Sequence, residues 1–141
     1  MQVVVTGATS FIGAATVKKL MEAGHQVFAV VRPASSNMKH LETIEAGNTP
    51  GSLSICPLDL AEIRTLHGFL ADAWVHIGWD GAGSDNRTKR DVQQRNVTYA
   101  LDAVEAAAAL GCHRFLFTGS QAEYGVWHRT VAEDTPCHPV S

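Results

Sequence analysis

Val3-Val4-Val5-Thr6-Gly7-Ala8-Thr9-Ser10-Phe11-Ile12-Gly13 runs from a β-branched segment through a glycine turn into helical spacing. Residues 3–6 read as a strand. Residues 11–23 read as an amphipathic helix, with Ile12, Ala15, Leu20 and Ala23 on one side and Lys18, Lys19 and Glu22 on the other, and Gly24 as its C-terminal stop. Gly7 permits a tight turn and close approach of the backbone to an anion. Gly13 lets the helix lie close against a sheet. The N–H groups of the first helical turn then face a phosphate. An ordinary strand–turn–helix connection is the competing reading.

Working outward, the same alternation repeats to the end of the chain. Strands are expected at 27–31, 53–56, 73–77 and 115–118. Helices are expected at 36–46, near 62–70, and over a long stretch at 88–110 closed by Gly111. Glycines at 78, 81 and 83 mark a loop before the long helix, and residues 119–141 read mostly as loop. Strands with few polar interruptions are buried on both faces, which requires a parallel sheet with helices on each side. Right-handed crossovers then predict an α/β, doubly wound sheet in the order 3-2-1-4-5 over residues 1–141, with ligand binding where the order reverses, between strands 1 and 4.

Composition is consistent with one such domain. The chain has 141 residues, 45% hydrophobic and 18% charged, with a net charge of −3. A mildly acidic chain has no global attraction to nucleic acid or to an anionic membrane. No apolar run approaches a membrane span, and the N-terminus lacks the basic start of a signal peptide. Three scattered cysteines suit a reducing compartment, so a cytoplasmic location is expected. His128, Cys137 and His138 lack zinc-site spacing, and no metal site is expected.

The segment Thr6–Gly13 resembles the T-G-x-x-G-x-x-G signature of the short-chain dehydrogenase/reductase superfamily. The flanking text resembles its extended branch, the NAD(P)-dependent epimerase/dehydratases that act mainly on nucleotide sugars. The resemblance implies that Gly7, Thr9, Ser10, Phe11, Ile12 and Gly13 surround a dinucleotide pyrophosphate. Ser10 stands where the signature has its middle glycine; it keeps the turn compact but gives up easy access to positive φ.

Strand 2 ends in Val31-Arg32-Pro33, and no acidic residue occurs between Gln26 and Lys39. An NAD-preferring fold usually carries Asp or Glu there. Arg32 suits a 2′-phosphate, with Ser35 and Ser36 as further donors. This points to NADP, with NAD second; the competing reading is a solvated strand end. Asp59-Leu60 after strand 3 resembles the family's adenine-contacting pair, and Asp59 is equally suited to cap the next helix. His76-Ile77-Gly78-Trp79 resembles the family's H-[LI]-A-A segment, whose backbone lines the cofactor, so the resemblance implies that Ile77, Gly78 and Trp79 do so here, with Trp79 in place of alanine. Asn96-Val97 matches the N-V-x-G-T helix, with Tyr99 in place of glycine, and the resemblance implies that Asn96 contacts the cofactor.

Phe115–Gly125 resembles the strand-5 segment that carries the catalytic serine, here Ser120, which the resemblance casts as a partner of the reacting oxygen. A loop hydroxyl is the other reading. The family's Tyr-x-x-x-Lys pair does not occur: the two tyrosines are Tyr99 and Tyr124, and no lysine follows Lys89. The sequence therefore reads as the N-terminal, cofactor-binding portion of a longer enzyme, with the catalytic pair and the substrate domain still to come. Such an enzyme would move a hydride between a sugar carbon and the nicotinamide, and would take a nucleotide-sugar-like molecule. The alternative is an inactive module that binds or senses NADP(H). The mixed-charge run Asp80, Asp85, Arg87, Lys89, Arg90 and Asp91 borders the substrate cleft in the full-length family. The long helix belongs to a helix-bundle dimer interface there, and strand 5 would be an edge rich in Phe and Leu, so the chain is expected to self-associate or to cover that edge with its own tail.

Overall fold

The computed structural model describes residues 1–81, 83–86 and 88–140; Arg87 of the mixed-charge run and the terminal Ser141 lie outside them. Five strands form one parallel sheet: β1 (Gln2–Thr6), β2 (Gln26–Val31), β3 (Ser52–Pro57), β4 (Ala73–His76) and β5 (Arg114–Phe117). Their order is β3-β2-β1-β4-β5. Helices α1 (Phe11–Glu22), α2 (Met38–Glu45) and α3 (Arg90–Ala109) complete the main layers.

Alternation along each strand divides the core in two. Val3, Val5, Val27, Ala29 and Val31 meet Val17 and Met21 of α1 and Leu41 of α2. Val4, Phe28, Val30 and Trp74 face the other way, against Ala103, Ala106 and Ala107 of α3 and Ile63. The alanines explain how a long helix packs close to a sheet carrying a fully buried tryptophan. Each fully buried valine contributes roughly 1.5–3 kcal/mol relative to exposure.

The expected helix near 62–70 is instead a short 3-10 helix, Leu60–Thr65. Asp59 caps its start by accepting the Ala61 N–H at 3.0 Å, and Gly68 at φ +94° turns the chain away soon after it ends. One apolar residue, Ile63, is buried in it. A single anchor does not reward a second helical turn.

Candidate functional site

Three segments meet at the carboxyl ends of β1 and β4, where the strand order reverses. The Gly7 turn is in the left-handed region at φ +66°, and a Cβ there would come within 2.7 Å of the Gly78 backbone nitrogen. The glycine therefore answers both the conformation and the approach of the loop after β4. A Cβ on Gly13 would run into the backbone of Gly7 and Ala8. Ser10 sits at φ −72°, so this position needs no positive φ. Its Oγ accepts the Gly13 N–H at 3.0 Å and caps α1. The N–H groups of Phe11 and Ile12 remain without an intrahelical acceptor, as at any helix start.

Thr6 joins the two loops. Its Oγ1 accepts the N–H groups of Ile77 and Gly78, each at 3.2 Å. With both lone pairs engaged, the Thr6 hydroxyl donates to His76 Nδ1 at 3.0 Å. His76 then carries its own proton on Nε2. The ring is buried and stacks on Phe115 and Phe117, with centroids at 6.0 and 5.7 Å. Its Nε2 has no hydrogen-bond partner among the described residues. Burial pushes the His76 pKa down to about 4, so the imidazole is neutral near neutral pH.

Around this junction lies a cleft of about 380 Å³, within the range of roughly 300–1,000 Å³ typical of small-molecule sites. The β1 loop supplies Gly7, Thr9 and Ser10; the end of β2 and its loop supply Val30, Val31, Arg32, Ser35, Ser36 and Asn37; the end of β3 supplies Leu58, Asp59 and Leu60; the β4 loop supplies Ile77, Gly78, Trp79 and Asp80. Tyr99 of α3 closes one wall. Ser35 donates to Thr9 Oγ1 at 3.0 Å and ties the β2 loop to the β1 loop. Asp59 caps the 3-10 helix and also lines the cleft.

Several expected site residues lie elsewhere. The Phe11 side chain is 90% exposed, and neither it nor Ile12 lines the cleft; what these residues turn toward an anion is backbone. Asn96 is buried on α3, and its amide is taken up by one residue. Its Oδ1 accepts the Asp80 N–H at 2.8 Å, and its Nδ2 donates to the Asp80 carbonyl at 2.9 Å. It clamps the cleft loop and does not itself line the cleft. Ser120, after β5, is exposed and outside the cleft. Its Oγ accepts the Ala122 N–H at 3.2 Å and caps a short 3-10 helix, Gln121–Tyr124. Of the mixed-charge run, Asp80 and Asp91 pair with Arg95 at 3.5 and 3.1 Å. Asn37 and Leu58 line the cleft although no motif singles them out, and Tyr99 stands there as a departure from the family pattern. The spacing of Tyr99, three residues beyond Asn96 and so on the same helix face, was the available signal.

The donor set fits a dinucleotide. A cradle that a Cβ would fill lies at Gly7, unpaired helix-start amides lie beside it, and a guanidinium, hydroxyls and a carboxylate line the β2–β3 end. Among the described residues no group of three or more His, Cys, Asp or Glu is placed to hold a metal ion. None of their helices is long and apolar enough to cross a membrane.

A doubly wound sheet with a glycine cradle at its switch point defines a Rossmann-type dinucleotide-binding fold. A sequence model of the NAD dependent epimerase/dehydratase family matches residues 3–141. The chain belongs to that family. It is 30% identical over 129 residues to a UDP-glucose 4-epimerase of Klebsiella pneumoniae, covering 89% of this chain and 93% of that sequence. It is 27% identical over 143 residues to UDP-glucose 4-epimerase 2 of Arabidopsis thaliana, covering 95% of this chain and 41% of that protein. Among solved structures, MoeE5 in complex with UDP-glucuronic acid and NAD is similar with a TM-score of 0.76 and 26% identity, over all of this chain and 44% of that one. The chain thus spans less than half the length of the plant enzyme and of the solved structure.

Proposed function

We propose that residues 1–141 are the dinucleotide-binding part of a nucleotide-sugar epimerase/dehydratase or 4-ketoreductase. The observation that carries this reading is the contact of the Gly7 turn with Gly78, which builds an amide-lined cradle at the sheet's switch point. The Phe11 and Ile12 amides and the α1 N-terminus would hold the pyrophosphate. Asp59 and Leu60 would face the adenine, and Arg32 with Ser35 and Ser36 the adenosine ribose. The nicotinamide supplies a hydride acceptor and donor. Ser120 would hold the oxygen of the reacting sugar carbon once a substrate covers the β5 end. Proton transfer needs a Tyr-x-x-x-Lys pair from outside these residues, since none occurs among them.

NADP is the preferred dinucleotide, because β2 is followed by Arg32 and no acidic residue occurs between Gln26 and Lys39. Calorimetry with NADP and NAD tests both the site and the preference. NADP is expected to bind at least tenfold tighter than NAD. Arg32→Ala is expected to remove about that factor for NADP and leave NAD almost unchanged, a charge-assisted contact being worth roughly 1.5–3 kcal/mol. Tighter NAD binding would reverse the preference, and no uptake of either would remove the cofactor reading.

Self-association belongs to the same proposal. Val97, Leu101 and Val104 form an exposed stripe on α3, with Leu101 62% exposed. Light scattering after size exclusion is expected to give a dimer mass or more, and Leu101→Lys to lower it. A clean monomer for the unmodified chain would count against the stripe as an interface.

A further inference from the structure

Trp79 is the residue at which the cleft carries more apolar surface than an anion cradle needs. It is 41% exposed while lining the cleft. Yet its backbone is held on both sides. The preceding residue, Gly78, donates its N–H to Thr6 Oγ1. The following residue, Asp80, is gripped at both N–H and carbonyl by Asn96. The indole meets Phe117 of β5 edge-on, with centroids 6.1 Å apart and planes at 60°. Tyr99, on the helix face that carries Asn96, lines the same cleft. An aromatic ring held this firmly has already met most of its ordering cost, so contact with a flat partner is not offset by lost freedom.

The position of Trp79 along the sheet selects that partner. Arg32 and Asp59 mark the β2–β3 end of the cleft, the Gly7 cradle lies over β1, and Trp79 lies after β4 against β5. A dinucleotide spanning the switch point with its pyrophosphate in the cradle places one half at each end.

We propose that Trp79, with Tyr99 lining the same cleft, is a specificity-determining aromatic wall for the nicotinamide-riboside half of the bound dinucleotide. This rests on the dinucleotide reading above. Both residues stand where the family pattern carries small residues, so the wall is a property of this chain.

The test uses the whole chain and three probes: NADP, NADPH and 2′,5′-ADP, which carries the adenosine half alone. Trp79→Ala is expected to weaken NADP about 5- to 10-fold in calorimetry and to leave 2′,5′-ADP within about twofold. In fluorescence, NADPH is expected to quench tryptophan emission with sensitised nicotinamide emission. Trp79→Phe, which keeps an aromatic ring, is expected to retain affinity while losing over about half of that transfer, Trp74 and Trp127 accounting for the rest. Unchanged NADP affinity in both Trp79→Ala and Tyr99→Gly would overturn the proposal. Equal weakening of NADP and 2′,5′-ADP would also overturn it, placing the indole at the adenosine end. If the unmodified chain binds 2′,5′-ADP and NADP equally well, the wall fails and the dinucleotide fold stands. If it binds neither of these nor NAD, both readings fall together.

Discussion

Gly7→Ala is expected to cost about 2–5 kcal/mol of stability and to abolish dinucleotide uptake, whereas Gly24→Ala costs about 1–2 kcal/mol and leaves uptake intact. Both glycines have positive φ, +66° and +77°. They differ in what surrounds them. A Cβ at Gly24 meets nothing within 4 Å, while one at Gly7 meets the backbone of Ile77 and Gly78 at 2.7–2.9 Å. Gly24→Ala therefore carries the left-handed strain alone, roughly 1–2 kcal/mol. Gly7→Ala adds the displacement of a backbone segment that cannot rotate aside, roughly 1–3 kcal/mol more, and that displacement opens the cradle. Urea unfolding and NADP calorimetry on the two variants measure the two quantities separately. Equal losses of stability, or a Gly7→Ala variant that binds normally, would show that the contact of the two loops is not what shapes the site.

Acid is expected to destabilise the fold well above the usual carboxylate range, through His76. Its folded pKa is about 4, against an unperturbed value of 6.5, because burial disfavours the imidazolium. Between those values the unfolded chain holds a proton that the folded chain does not, so the unfolded state gains as pH falls. The neutral imidazole's contribution is whole above about pH 6.5. It shrinks by up to ~1.4 kcal/mol per pH unit below that, and about 3 kcal/mol is gone near pH 4. Glu22 and Asp91, held below the ordinary carboxylate range chiefly by hydrogen bonds from Lys19 and Arg95, act in the same direction at lower pH. His76→Asn removes the titrating group while keeping an acceptor for the Thr6 hydroxyl. Its unfolding free energy is expected to be flat over about pH 5–7, where that of the parent slopes. A parent that is equally stable at both ends of that interval would mean that His76 is not held neutral by its burial.

The dinucleotide reading and these two predictions converge on one joint, the contact of the β1 loop with the β4 loop. Half of that joint was legible in sequence. The β-branched run at Val3–Val5, the Gly7 turn and the helical spacing after Phe11 are local patterns, and each follows from residues within a turn or two of one another. Arg32 at the end of β2 was legible for the same reason. The segment near 62–70 misled because helical composition is read without knowing how many of its residues find a core; only Ile63 is buried in the 3-10 helix. The family pattern implies a dinucleotide contact for Asn96, while its amide faces the Asp80 backbone sixteen residues earlier in the chain. The same pattern implies a reacting-oxygen partner for Ser120, whose described partner is the Ala122 N–H.

What the sequence determined alone was the α/β alternation, the strand order and the cradle at Gly7, because hydrophobic period, glycine placement and crossover handedness act through near neighbours. The tertiary structure alone decided that Thr6 would fix the tautomer of a histidine seventy residues away, that Asn96 would grip Asp80, and that Trp79 would stand exposed between two held residues. Those outcomes depend on which side chains the parallel register brings face to face across the sheet, and no local pattern encodes that pairing.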